Sequence, residues 1–179
     1  NNSAVKAYSE SLKHAQDIKN EKYIKLSNEG MMAALGGKNI SKKSKDKYIE
    51  VAYLNSLREN PRSKQADKVY QRLFGLYFAK GDIPSSEKTL LSYRSNFPRN
   101  HTTQEAMLAK IMDHYKKKGD IAGIKSWVNR INAGVFKVSS KYAKKVKMTV
   151  LTMQFENVEN ATSKGDKKKA LALYVGLYK

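Results

Sequence analysis

The 179-residue chain contains no cysteine. Disulfides, thiolate nucleophiles and cysteine-based metal sites are excluded together, while the compartment stays open, because a cysteine-free protein suits oxidising and reducing surroundings alike. There is no run of about 18 apolar residues of the kind a membrane-spanning helix needs. The opening Asn1-Asn2-Ser3-Ala4-Val5-Lys6 has neither an initiating Met nor the apolar centre of a signal peptide. The closing run Ala170–Lys179 stops inside a helical pattern with no capping signal, so the expectation is a fragment or mature portion of something longer. Acidic residues are scarce too, 16 against 35 Lys and Arg, which leaves a formal net charge of +19. Such an excess draws a chain toward anions: nucleic acid, acidic lipid or an acidic protein surface. With 40% hydrophobic and 28% charged residues, the composition is that of a folded protein.

What is present is a period. Lys-Gly-Asp occurs at Lys80-Gly81-Asp82, Lys118-Gly119-Asp120 and Lys164-Gly165-Asp166, with the glycines 38 and 46 residues apart. A second marker alternates with it, Asn60-Pro61-Arg62-Ser63 and Phe97-Pro98-Arg99-Asn100, with the prolines 37 apart. Glycine accepts the left-handed backbone that ends a helix, the lysine before it complements the negative end of the helix dipole, and the aspartate can cap the next helix. Each Lys-Gly-Asp is therefore expected to be a tight joint between two antiparallel helices rather than an adhesion-receptor ligand. Each proline marker is expected to end a second helix.

Between the joints the apolar residues keep helical spacing. The stripes run Ala66, Val69, Tyr70, Leu73, Phe74, Tyr77; then Ile83, Leu90, Leu91, Tyr93; then Ala106, Leu108, Ile111, Met112, Tyr115; then Ile121, Ile124, Trp127, Val128, Ile131. A longer helix is expected from about Val138 to Lys164 and a last one from about Lys167, with Ala170, Leu173, Tyr174 and Leu177. Upstream, 45–59 reads as a helix, and Val5, Tyr8, Leu12, Ala15, then Tyr23, Ile24, Ser27 and Met31 mark the first 35 residues as helical. Whether 17–21 divides that stretch is left open by the sequence. The segment 36–41 is the clearest loop. The organisation expected is one helical-repeat domain over 1–179, with irregular helices in 1–44, repeat units at 45–100 and 101–136, and a C-terminal unit at 137–179. A helix pair cannot bury its stripe alone, so stacked neighbours must complete the core.

The sequence offers no reaction chemistry. At Gly37-Lys38 the phosphate-loop pattern fails, because Met32 stands where its first glycine is needed and Asn39 where Ser or Thr should follow. The dinucleotide glycine fingerprint is absent. His14, His101 and His114 are scattered, with no helical pair for zinc. Glu156 and Glu159 share a helix face, but without an apolar pocket to separate their pKa values they read as a solvated acidic patch. No enzymatic role, small-molecule substrate, metal or cofactor is expected. The eleven tyrosines and Trp127 read as packing residues rather than a stacking surface for single strands.

Phased on Gly-Asp, residues 67–100 resemble one tetratricopeptide repeat. Tyr70, Leu73 and Tyr77 fall at first-helix packing positions, Ser86 at a small one, Leu90 at an aromatic one and Pro98 at the closing proline. Phe74 replaces the usual glycine, with Gly75 beside it, and Tyr93 replaces a small residue. The unit at Glu105 keeps Leu108, Ile111, Tyr115, Gly119 and Asp120, but carries Ile124 and Ile131 where small residues usually stand; the last keeps Gly165, Asp166, Ala170 and Tyr174. The resemblance covers about two-thirds of the chain. Its wider spacing looks like repeats of bacterial extracytoplasmic lipoproteins in outer-membrane assembly and gliding-motility machinery. It implies an all-α, right-handed α-solenoid of antiparallel helix pairs, and a periplasmic or outer-membrane-associated location in preference to the cytoplasm.

The resemblance also implies a non-enzymatic scaffold for another protein, whose peptide or helix would lie in a concave groove lined by the first helices. Lys68, Gln71, Phe78, Asp113, Lys116, Phe155 and Glu159 hold the matching positions. The runner-up is a basic surface for a polyanion, nucleic acid or an anionic envelope polymer. Lys116-Lys117-Lys118 and Lys42-Lys43 can be dipole partners of helix ends. Lys167, Lys168 and Lys169 stand in a first turn, where the dipole disfavours cations, and Lys137, Lys141, Lys144 and Lys145 fall on one face of the long helix.

Overall fold

Regular structure in this chain is decided by where each helix must stop. The computed structural model describes residues 2–37 and 39–175. Among them the elements are α1 (Asn2–Asp17), α2 (Glu21–Leu35), α3 (Lys42–Glu59), α4 (Lys64–Ala79), α5 (Ile83–Asn96), α6 (His101–Lys117), α7 (Ile121–Asn132), α8 (Ser140–Ser163) and α9 (Lys167–Val175), with no strand. Leu177 and Lys38 lie outside the described residues. The chain divides into two compact units, Asn1–Phe97 and Pro98–Lys179. Within each, helices pack mainly on their sequence neighbours.

The Lys-Gly-Asp joints close as the chemistry of the tripeptide demands. After α4, Gly81 takes φ +76, its N–H donates to the Phe78 carbonyl at 3.1 Å, and the Asp82 N–H reaches the Tyr77 carbonyl at 3.0 Å. Two orphan carbonyls of the helix end are thereby satisfied, and the Asp82 carboxylate accepts the Ser85 N–H at 3.0 Å to start α5. Gly119 and Gly165 repeat the pattern, with Asp120 accepting from the Gly123 N–H at 2.8 Å and Asp166 from the Lys169 N–H at 3.0 Å. The segment 17–21 proves to be a fourth such joint written in other letters. Lys19 takes φ 54, the Asn20 N–H donates to the Ala15 carbonyl at 2.9 Å, and the Asn20 side chain caps α2 through Tyr23 at 3.2 Å.

The other helix ends are looser. Ser41, Ser63, Asn100 and Ser139 cap α3, α4, α6 and α8, and the last two follow the Phe97-Pro98 marker and a turn at Gly134. Tight and loose joints alternate except around α3, which has a loose joint on each side.

In the first unit one apolar cluster joins Val5, Leu12, Met31, Leu35, Ile40 and Ala52 of the α1–α3 region. Polar ties add register: the Ser11 and Ser27 hydroxyls meet at 2.7 Å, and Glu50 of α3 accepts from the Tyr77 hydroxyl at 3.0 Å and the Lys80 ammonium at 2.9 Å. Between α4 and α5, Tyr70 sets its ring edge-on to Tyr93 and Phe97, and the Tyr93 hydroxyl donates to Asp67 at 2.6 Å. In the second unit Leu108, Ile111, Ile124, Trp127 and Phe136 are buried, with Trp127 and Phe136 rings 5.4 Å apart.

Three members of the sequence stripes fall on the surface instead: Tyr8, Tyr23 and Ala106 are exposed. In α6 the neighbouring Met107 is buried, because the face it shares with Gln104, Leu108 and Ile111 is the one that turns inward, and Ala106 lies off that face.

Lys19 holds a left-handed backbone that glycine adopts without strain, so Lys19→Gly should stabilise the chain by about 1 kcal/mol. Asp82→Ala should destabilise it by about 1 kcal/mol through the lost cap. Chemical denaturation of both variants checks the opposite signs.

Candidate functional site

Three helices of the first unit leave an open groove of about 580 Å3 between them. α2 contributes Lys25 and Glu29, α3 Ser56 and Glu59, and α4 Lys68 and Arg72. Its lining mixes amides and charges of both signs with the apolar side chains of Met32 and Val69. Burial raises the Glu59 carboxyl above its usual range and Glu29 adds to the rise, while Lys25 and Arg58 oppose it. Of the seven candidate groove residues only Lys68 lines this space. Gln71 is exposed and donates to Asp67 on its own helix at 3.0 Å, and Phe78 stacks on Phe74 with centroids 5.8 Å apart. Lys25, Glu29 and Arg72 gave no signal in the sequence, because their helices become neighbours only through the packing of α3 between α2 and α4.

In the second unit the chemistry gathers where α6 meets α8. Asp113 accepts from Lys117 one turn on, at 2.7 Å. That bond holds its carboxyl below the usual range, and Lys116 and Lys145 add to the effect from either side. Lys145 belongs to α8, so one carboxylate sits among lysines from two helices, all of them exposed. Phe155 is 54% exposed further along α8, with Glu159 also exposed one turn beyond it.

The basic stripe needs a correction. Lys141, Lys144 and Lys145 are exposed on α8, but Lys137 is not on that helix at all. α8 begins after Ser139, whose side chain caps it through Tyr142 at 3.2 Å, and both the backbone N–H and hydroxyl of Ser139 donate to Glu105 of α6. That anchor fixes the cap two residues beyond Lys137 and the helix start three beyond it, so Val138 is not helical either. Lys167, Lys168 and Lys169 do occupy the first turn of α9, exposed; the turn itself holds no acid, and Asp166 caps it.

Behind the α8 start, the Tyr142 hydroxyl is buried without a hydrogen-bond partner among the described residues. Burial first, and the Glu105 carboxylate second, push its pKa up to about 12. Among the described residues no three His, Asp or Glu side chains are grouped to hold a metal, and no helix is long and apolar enough to cross a membrane.

Compared with known proteins, the chain matches no family model, no curated protein and no solved structure.

Tyr142 yields a test of this packing. Its folded pKa is raised, so the stability held by its neutral form is complete below about pH 10 and is lost as pH rises through about 12. Tyr142→Phe removes the orphan hydroxyl and should raise stability by about 1 kcal/mol at neutral pH. In an absorbance titration the same variant should lose one of the tyrosinates that form near pH 12, leaving that of Tyr77.

Proposed function

We propose that this chain is a non-enzymatic scaffold of tetratricopeptide type, a right-handed solenoid of antiparallel helix pairs whose first helices hold a segment of another protein. Its four tight joints, each a left-handed residue followed by a capping side chain, support the repeat reading. The observation that carries the binding reading is the cluster around Asp113. There α6 and α8, the first helices of successive pairs, turn Lys116, Lys117 and Lys145 toward solvent around a single carboxylate. Such a surface selects an acidic segment and orients it against the one acid it must avoid. The polar groove at Lys68 and Arg72 is suited to a second stretch of extended peptide. The resemblance to extracytoplasmic repeat proteins favours a periplasmic or outer-membrane-associated setting.

A second reading, a polyanion surface, is favoured by Lys141, Lys144 and the Lys167–Lys169 turn, all exposed and none in an ion pair among the described residues. The salt dependence of binding to duplex DNA and heparin separates the two. A polyanion surface predicts that changing Lys141, Lys144 and Lys145 to Gln reduces the log–log salt slope for DNA by roughly 2.7 units, at about 0.9 per phosphate contact. The scaffold reading predicts weak DNA binding that vanishes near physiological ionic strength in wild type and variant alike. Tight, steeply salt-dependent binding in the wild type, flattened in the variant, would replace the scaffold reading with the polyanion one.

A further inference from the structure

The charges of α8 run against its own dipole. Its first turn holds Lys141 and no acid, followed by Lys144 and Lys145, and its last turn holds no base, with Glu156 and Glu159 just before it. A helix N-terminus is the positive end and a C-terminus the negative end, so this order is unfavourable for the isolated helix. The same face is apolar at its centre. Met148 is 60% exposed, Leu151 40% and Phe155 54%. At 3.6 residues per turn Lys141, Lys144, Lys145, Met148, Leu151, Phe155 and Glu159 all lie within about 60° of one line, and Glu156 stands just beside it. Over about 27 Å the exposed face therefore passes from basic through apolar to acidic. The buried face lies behind it, at Val146 and Met153.

A surface of that order is complementary to itself when reversed. We infer that two copies of this chain pair through α8, antiparallel, about a two-fold axis near residue 150. That arrangement puts Lys141 of one copy opposite Glu159 of the second copy and Lys145 opposite Glu156. Lys144 lies over the Phe155 ring of the second copy, while Met148 and Leu151 meet their equivalents at the centre. Two-fold symmetry makes each contact between different residues twice, the mark of an isologous interface. An unrelated occupant would have to present acid, apolar surface and base in the matching order, and the second copy already does. The pairing also accounts for charges that the helix dipole alone opposes. It goes beyond the scaffold reading and does not depend on it, since the lysines around Asp113 other than Lys145 take no part. Phe155 and Glu159 then serve self-pairing rather than a partner groove.

The test is sedimentation of the full chain over a range of concentrations at physiological ionic strength, where screening tempers the repulsion between copies of charge +19. The wild type should show a monomer–dimer equilibrium. Lys141→Glu and Glu159→Lys should each weaken it by about tenfold or more, because each reversal opposes two like charges twice over. The double variant should return to within a few-fold of wild type. Each reversal improves the match to the α8 dipole, so loss of helix cannot explain a weaker dimer, and circular dichroism checks that helicity is kept. A chain that stays monomeric throughout would overturn the pairing, as would a dimer indifferent to both reversals or a double variant no better than the singles. Binding of an acidic amphipathic peptide by a strictly monomeric wild type would overturn it too, and would assign the face to a different partner.

Discussion

The helix pairs of this structure depend on ending one helix and starting the next across three residues. An amphipathic helix of 9 to 24 residues, the range from α9 to α8, cannot bury its apolar stripe by itself. It needs a neighbour held close, and the joint supplies one. A left-handed residue turns the chain, its N–H and that of the next residue close the last carbonyls, and the next side chain caps the following helix. Where the joint uses Gly and Asp the cost is small. Where Lys19 stands in the glycine place, the strained φ of 54 is held by the packing of α1 on α2.

Once the helices are set, the electrostatics of their free faces follow from sequence alone. The surplus of positive charge is not spread evenly. Around Asp113 the lysines converge from α6 and α8 on one acid, while along α8 the sign of charge changes from one end to the other. The first pattern suits an acidic segment of another molecule; the second suits a copy of itself. Glu59, a carboxyl that burial raises, lines the open groove of the first unit.

The sequence revealed helices better than faces. Lys-Gly-Asp could be read because each letter has one mechanical job, and the three joints form where the tripeptides stand. The sequence leaves the fourth open because lysine and asparagine do the same jobs less characteristically at 19 and 20. The start of α8 was misplaced because the deciding partner, Glu105, is 34 residues away from Ser139, and no local pattern announces it. Lys137 was lost from the stripe for that reason. The groove at Lys68 was legible at one residue only, since Lys25 and Arg72 come together through the position of α3, the helix that interrupts the alternation of joints.

One hydrogen-bonded joint, used four times among the described residues, sets the helix pairs. Nuclear magnetic resonance measurement of backbone φ and amide protection at the joints tests it most directly. Positive φ is expected at Lys19, Gly81, Gly119 and Gly165, together with slowed exchange of the amides of Asn20, Asp82, Asp120 and Asp166, which bond back to the preceding helix. Negative, helical φ at these four positions, or freely exchanging amides at the four that follow, would contradict it.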